Sequence, residues 1–218
     1  ICCLSSLNLA KYDEWKDTDV IETAVYFLDG VMQEFIDKTS GQESMKRTHR
    51  HASKGRALGL GVMGWHTFLQ KKNLPFNSIA STAWTHTIFS NIKLKAEAAS
   101  RQLAQEYGEP LWCKGTGMRN THVLAIAPTV SNSRISNCSA GIEPYPANMY
   151  TFNGAKGTFI VKNPDLQNLL REKGHDTDKV WDQILADDGS VQNLPSEVLN
   201  EDDKEVFYNF IFHLFLLN

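Results

Sequence analysis

With 218 residues, the chain is long enough for one large domain with a real core. Its 42% hydrophobic and 22% charged residues match ordinary globular proteins and exclude a disordered or membrane-embedded chain. A formal net charge of -3 excludes a general nucleic-acid footprint, and the densest basic run, Lys46-Arg47-Thr48-His49-Arg50-His51, reads as a solvated helix face.

The opening stretch, Ile1 to Ala10, lacks an initiator Met and sets two adjacent cysteines in an apolar run, so it reads as the interior of something longer. Four cysteines, Cys2, Cys3, Cys113 and Cys138, are too scattered for a secreted disulfide scaffold, and the absence of a Cys-x-x-Cys pair argues against structural zinc. No signal peptide is visible, which points to a reducing, cytoplasmic setting. Lys11 to Asp17 is polar and turn-like. From Thr18, apolar residues recur with helical spacing through Val20, Ala24, Leu28, Met32 and Phe35, with Thr18 and Asp19 as caps and Thr39-Ser40-Gly41 as the break. A second helical region is predicted from about Ser53 to Lys72. Gly59, Gly61 and Gly64 fall inside it, and repeated glycines in a helix imply close packing of a neighbouring backbone. Gly59-Leu60-Gly61-Val62-Met63-Gly64 has the letters of a dinucleotide fingerprint, but no strand is predicted before it and no βαβ unit after it, so a tight helix contact is the better reading.

Asn77 to Tyr107 reads as a long helix stopped by Gly108, followed by a loop from Glu109 to Met118. Thr121 to Ala127 is a short, mostly apolar run ended by Pro128, as expected of a strand buried on both faces. The composition then changes: Pro128 to Pro144, "PTVSNSRISNCSAGIEP", is rich in hydroxyls and amides. A loop of this kind at the carboxyl end of a buried strand is where α/β proteins place ligands. Thr129, Ser131, Asn132 and Ser133 offer small side chains and backbone N–H groups to an anion, or form a plain capped turn. Arg134 adds charge there or is an ordinary surface residue. A strand at Thr158 to Lys162 and short helices at Asp165 to Lys173, Lys179 to Ala186 and from Glu201 complete the pattern.

Four segments, "CCLSSLNL", "RALGLGVMGW", "GMRNTHVLAIAPTVSNSRISN" and "GIEP", together resemble the catalytic domain of ribonucleotide reductase large subunits, in the same order and at similar separations. The resemblance runs from residue 1 to about Phe207. It implies an α/β fold in which residues 1–207 form the second half of a ten-stranded barrel with surrounding helices. It also implies a diphosphate seat at Pro128, Thr129, Val130, Ser131 and Asn132, with Ser133 close behind. Some members carry an acidic residue where this chain has Val130. By its spacing to "LSSLNL", Cys2 takes the place of one redox-active thiol, and Cys3 falls where the family varies. Cys113 and Cys138 match no family motif and read as structural.

In the mechanism the resemblance implies, a thiyl radical takes the ribose 3′-hydrogen, and two thiols reduce C2′ as water leaves. The radical cysteine, its Asn and Glu helpers and the second redox thiol lie upstream of this stretch in the family, and the paired radical-relay tyrosines lie downstream. This chain has no adjacent tyrosine pair. The expectation is therefore a fragment of a class I ribonucleoside-diphosphate reductase that binds no metal or cofactor itself. Its radical would come from a metal-containing small subunit and its reducing equivalents from thioredoxin or glutaredoxin. ATP and deoxynucleotide effectors act on the full enzyme. A class II, adenosylcobalamin-dependent fragment and a non-catalytic half that works only by assembly are the alternatives. Residues 208–218, apolar on every face yet too short for the about 20 residues of a membrane span, read as translation past a coding boundary or as a buried terminal helix.

Overall fold

In the computed structural model, which describes residues 1–154 and 157–209, the chain divides into two units: residues 1–63 with 84–129, and residues 64–83 with the chain from 130 on. In chain order the elements are β1 (Cys3–Asn8), α1 (Tyr12–Trp15), α2 (Val20–Thr39), α3 (Lys46–Gly55), β2 (Leu58–Met63), α4 (Trp65–Lys71) and α5 (Ile79–Tyr107). They continue with α6 (Val130–Ile135), β3 (Met149–Gly154), β4 (Gly157–Lys162), α7 (Pro164–Glu172), α8 (Asp178–Ala186) and α9 (Glu201–Val206).

The first unit is built on parallel strands. β1 pairs with β2 from Cys3 opposite Leu58 to Asn8 opposite Met63. Residues 121–125 run along the other side of β2: Leu58 N–H donates to His122 O and Leu60 N–H to Val123 O, both at 2.9 Å, and Ala125 N–H returns to Leu60 O at 3.2 Å. The predicted helix over Ser53 to Lys72 is therefore corrected. It is a helix ending at Gly55, a strand, and a new helix from Trp65. The physical reason lies in the alternation of Leu58, Leu60 and Val62 with Gly59 and Gly61. One face of β2 is branched and aliphatic, and all six residues are buried; the other carries only the two glycines until Met63 at its end. A Cβ on Gly61 would collide with the carbonyl oxygen of Ala125, and one on Gly59 would come within 2.5 Å of Leu4 Cδ2 and 2.9 Å of Ala125 Cβ. The glycines do admit a neighbouring backbone, but that backbone belongs to a flanking strand-like segment and not to a helix. The 121–127 run is less regular than expected. It makes a single bridge, Leu124 to Leu60, and Ile126 is exposed, so it is not buried on both faces.

α2 buries Ile21, Val25, Leu28 and Met32, one residue per turn, as its spacing predicts. The hydroxyl of Thr39 turns back to Phe35 O at 2.7 Å, and Gly41 takes a left-handed φ of 78° where the helix has stopped. The basic run on α3 is largely exposed, as read from sequence. α5 buries Ile88, Ile92, Ala96, Ala99 and Leu103 and ends at Gly108, whose N–H bonds Ala104 O at a φ of 81°.

The second unit holds α4, α6, the antiparallel hairpin β3–β4 and three short helices around Leu166, Leu170, Trp181, Ile184 and Phe207. The caps explain why those helices start where they do. The Asn163 side chain accepts from Asp165 N–H and Leu166 N–H ahead of Pro164 at the first turn, and Thr177 caps α8. Asn200 and Asp203 form a reciprocal capping box on α9. Strand β3 is an addition to the sequence reading, and the predicted α7, α8, α9 and β4 are present. Among the described residues, no helix is long and apolar enough to cross a membrane. Most of the apolar tail, residues 210–218, lies outside the described residues.

Candidate functional site

Of the two adjacent cysteines of the first unit, Cys3 opens β1 and Cys2 directly precedes it, and their side chains go to opposite faces, as successive residues of an extended chain do. Cys2 lies on the glycine face of β2, beside Leu4: a Cβ on Gly59 would sit 3.2 Å from Cys2 Sγ. Cys3 is turned the other way, where it feels the charges of Arg56 and of Asp29 on α2. Burial pushes both thiols up, so both stay protonated at neutral pH. Cys113 and Cys138 are buried and free, and burial raises both, Cys138 to about 11. Buried, protonated thiols of this kind are inert packing groups.

Behind the Cys3 face stands a buried charge network that the sequence reading did not anticipate. Asp29 accepts from Arg56 through Nε at 2.9 Å and Nη2 at 2.8 Å, from Arg119 Nε at 3.0 Å and from Asn120 Nδ2 at 2.9 Å. Arg56 also donates to Gln33 Oε1 at 2.8 Å, and Ser100 Oγ donates to Asn120 Oδ1 at 2.7 Å. Burial alone would raise the carboxyl of Asp29, but the hydrogen bonds and charge of Arg56, with Asn120 and Arg119, outweigh it and hold it below the usual carboxylate range. The network ties α2, the left-handed end of α3, α5 and the start of the 121–125 run to one point. Arg56 lies within "RALGLGVMGW" and Arg119 and Asn120 within "GMRNTHVLAIAP", so those segments carry a scaffold.

The polar segment lies at the chain's passage from one unit to the other, between Thr129 and Val130. Thr129 has a φ of 50°, a left-handed conformation that a β-branched residue adopts at a cost. Val130, Ser131 and Asn132 form the first turn of α6 and are exposed; a helix leaves its first N–H groups without intrahelical acceptors. Pro128 is exposed and has no N–H to offer. Ser133 is placed differently: it is buried, and its hydroxyl donates to Val130 O at 3.3 Å. Past the helix, Cys138 N–H bonds Ser133 O at 3.0 Å and Asn137 takes a φ of 51°.

The chain then anchors itself to α4. The Ser139 hydroxyl accepts from His66 N–H at 3.1 Å and Thr67 N–H at 3.3 Å, and Ser139 N–H donates to Thr67 Oγ1 at 2.8 Å. Tyr145 N–H donates to His66 Nδ1 at 2.9 Å, which fixes that nitrogen as an acceptor, and burial holds the imidazole down to about 4.

Comparison with known proteins then fixes the family. The family described as "Ribonucleotide reductase, barrel domain" matches residues 1–113 and 112–211, and the chain belongs to it. The chain is 40% identical over 195 residues to a putative ribonucleoside-diphosphate reductase large subunit of Frog virus 3, covering 89% of this chain and 34% of that protein. It is 38% identical to the ribonucleoside-diphosphate reductase large subunit of Invertebrate iridescent virus 6, over 95% of this chain and 22% of that protein. Among solved structures, the Actinobacillus ureae class Id ribonucleotide reductase alpha subunit superposes with a TM-score of 0.87 at 46% identity, covering 95% of this chain and 38% of that one. The fold is therefore part of the ribonucleotide reductase α/β barrel. The chain spans about a third or less of the length of these two curated relatives.

Proposed function

We propose that this chain is the part of a class I ribonucleoside-diphosphate reductase large subunit that seats the substrate's diphosphate and supplies one of its two reducing thiols. The observation that carries this reading is the segment at Thr129 to Asn132, where a strained residue delivers the chain into a helix whose first turn is exposed and carries small polar side chains. An anion placed there meets backbone N–H groups and hydroxyls with little reorganisation. Val130 in place of an acid removes a like charge from the seat. Pro128 stiffens the entry, and Ser133, its hydroxyl spent on Val130 O, braces the turn from behind.

Cys2 is the reducing thiol because it lies on the glycine face of β2, whereas Cys3 faces the charges of Asp29 and Arg56. After a thiyl radical has taken the 3′-hydrogen, the 2′-hydroxyl leaves as water. Cys2 and a second thiol from outside this chain give up two hydrogens and become a disulfide, and the 3′-hydrogen returns to the ribose. A protonated thiol suits that step, since it has a hydrogen to give. The radical comes from a metal-containing small subunit, thioredoxin or glutaredoxin reduces the disulfide, and ATP and deoxynucleotides regulate the complete enzyme. The 46% identity to a class Id alpha subunit, against 32% to a vitamin B12-dependent ribonucleoside-diphosphate reductase of Thermoplasma acidophilum, favours class I over an adenosylcobalamin-dependent enzyme.

The test is steady-state reduction of CDP by the complete large subunit containing this segment. Thr129→Ala with Ser131→Ala should raise KM for CDP, by about 0.5–1.5 kcal/mol for each neutral bond lost and more where phosphate charge assists. An unchanged KM would defeat the seat. The 218-residue chain alone should show no turnover.

A further inference from the structure

The diphosphate seat consists of hydroxyls, an amide and backbone N–H groups, with no fixed positive charge among residues 128–133. The next residue is an arginine. Arg56, Arg101, Arg119 and Arg171 meet carboxylates, whereas Arg47, Arg50 and Arg134 meet none among the described residues, and of these three Arg134 is the one stacked on a ring. Arg134 is exposed, and among the described residues its guanidinium has one partner, the ring of Phe152, with Cζ 4.3 Å from the ring centroid. That ring is itself held. Phe152 lies on β3 opposite Phe159, and it leans over Gly154, where an added Cβ would stand 3.1 Å from Phe152 Cε1. The hairpin thus presents a flat aromatic platform, and the guanidinium lies on it with its N–H donors unpaired by any described carboxylate or carbonyl.

Position on the helix decides where those donors can act. Arg134 stands one turn after Val130 and Ser131, on the same face of α6. Helix side chains lean back toward the N-terminus, and four residues of rise are only about 6 Å.

From these placements we infer that Arg134 is the fixed cation of the diphosphate site, pairing with the terminal phosphate of a ribonucleoside diphosphate, and that Phe152 is the positioning residue that keeps its guanidinium flat and extended. The inference rests on the reading of Thr129 to Asn132 as the diphosphate seat. Its consequence is selectivity. A seat of neutral donors holds one phosphate about as well as two, whereas a guanidinium one helical turn farther along adds a contact that only the second phosphate reaches. Stacking on Phe152 lowers the cost of ordering a long side chain before substrate arrives.

The experiment is the kinetics of the complete large subunit containing this segment, with CDP as substrate and CMP as competitive inhibitor. Arg134→Gln should raise KM for CDP about ten- to a hundredfold, the span of a charge-assisted bond, with kcat little changed and CMP inhibition unaffected. Phe152→Leu should raise it about two- to fivefold, and Phe152→Tyr should restore the wild-type value. Arg134→Lys, which keeps charge without the flat stack, should fall between Arg134→Gln and wild type. Ser131→Ala reports on the seat separately. If Ser131→Ala raises KM for CDP and Arg134→Gln does not, the role of Arg134 is overturned while the seat stands. If neither substitution moves it, seat and inference fall together. Equal weakening of CDP and CMP by Arg134→Gln would also overturn the inference, since the arginine would then act through the fold of α6.

Discussion

The region around Asp29 and the segment from Thr129 to Arg134 handle polar groups in opposite ways. At Asp29, a carboxylate, two guanidinia, two side-chain amides and a hydroxyl are buried or nearly so, and each finds partners at 2.7–3.0 Å. In the Thr129 segment the backbone is strained, the first turn of α6 is exposed, and among the described residues the arginine's partner is a ring. A satisfied network has nothing left to offer a ligand, whereas on the proposed reading the open segment is costly or neutral for folding and serves only once an anion arrives. Substitutions in the first region should therefore cost stability, and substitutions in the second should cost binding.

The largest expected effect is Asp29→Ala. It strands Arg56 in a buried site and should destabilise the fold by roughly 3–5 kcal/mol in urea unfolding. Because its partners hold the folded Asp29 below the usual range, its contribution is fully present above the ordinary carboxylate pKa. It is lost only as pH falls through the depressed folded value.

The second effect is acid lability centred on His66. Its folded value of about 4 lies below the ordinary imidazole value of 6.5, so the unfolded chain binds more protons between them. Stability should fall as pH drops through that window, by on the order of 3 kcal/mol in all. His66→Gln should flatten the slope of stability against pH there, and an unchanged slope would show that His66 does not cause it.

Third is Gly61→Ala, whose methyl meets the Ala125 carbonyl oxygen and should cost about 1–3 kcal/mol through strain in the sheet. The smallest effect has the opposite sign. Thr129→Gly relieves a left-handed φ and should leave thermal stability equal or higher by up to about 1 kcal/mol, while weakening CDP binding through the lost hydroxyl. A stability loss as large as that of Gly61→Ala would erase the distinction between the two regions.

What could be read from the sequence follows from how local each feature is. α2, α5 and the three short terminal helices announce themselves by periodicity, caps and stops that lie within the element itself. β2 was misread because its alternation is Leu-Gly-Leu-Gly rather than apolar-polar, so a period of two passed for a continuous apolar run. The glycines signalled close approach, but the residue that approaches, Ala125, is more than sixty positions away in sequence. The candidate seat was legible as a change of composition at a strand end. The Thr129 strain, the inward turn of Ser133 and the Arg134–Phe152 stack depend on backbone geometry and on pairing across the chain, and no local pattern encodes them. The separation of Cys2 from Cys3 was partly open to view, since adjacent residues on any strand face opposite ways. Which way each points was settled only by the glycines of β2 and the position of Asp29 and Arg56.

That separation gives the most direct test of the central claim, that this segment carries a reducing thiol of a ribonucleotide reductase at Cys2. Deoxyribonucleotide formation should be measured for the complete large subunit under multiple turnover, with CDP and a dithiol reductant, for Cys2→Ser and Cys3→Ser side by side. Cys2→Ser should abolish sustained dCDP formation while CDP still binds, and Cys3→Ser should turn over like the wild type. Sustained turnover by Cys2→Ser, or its loss in Cys3→Ser alone, would contradict that claim.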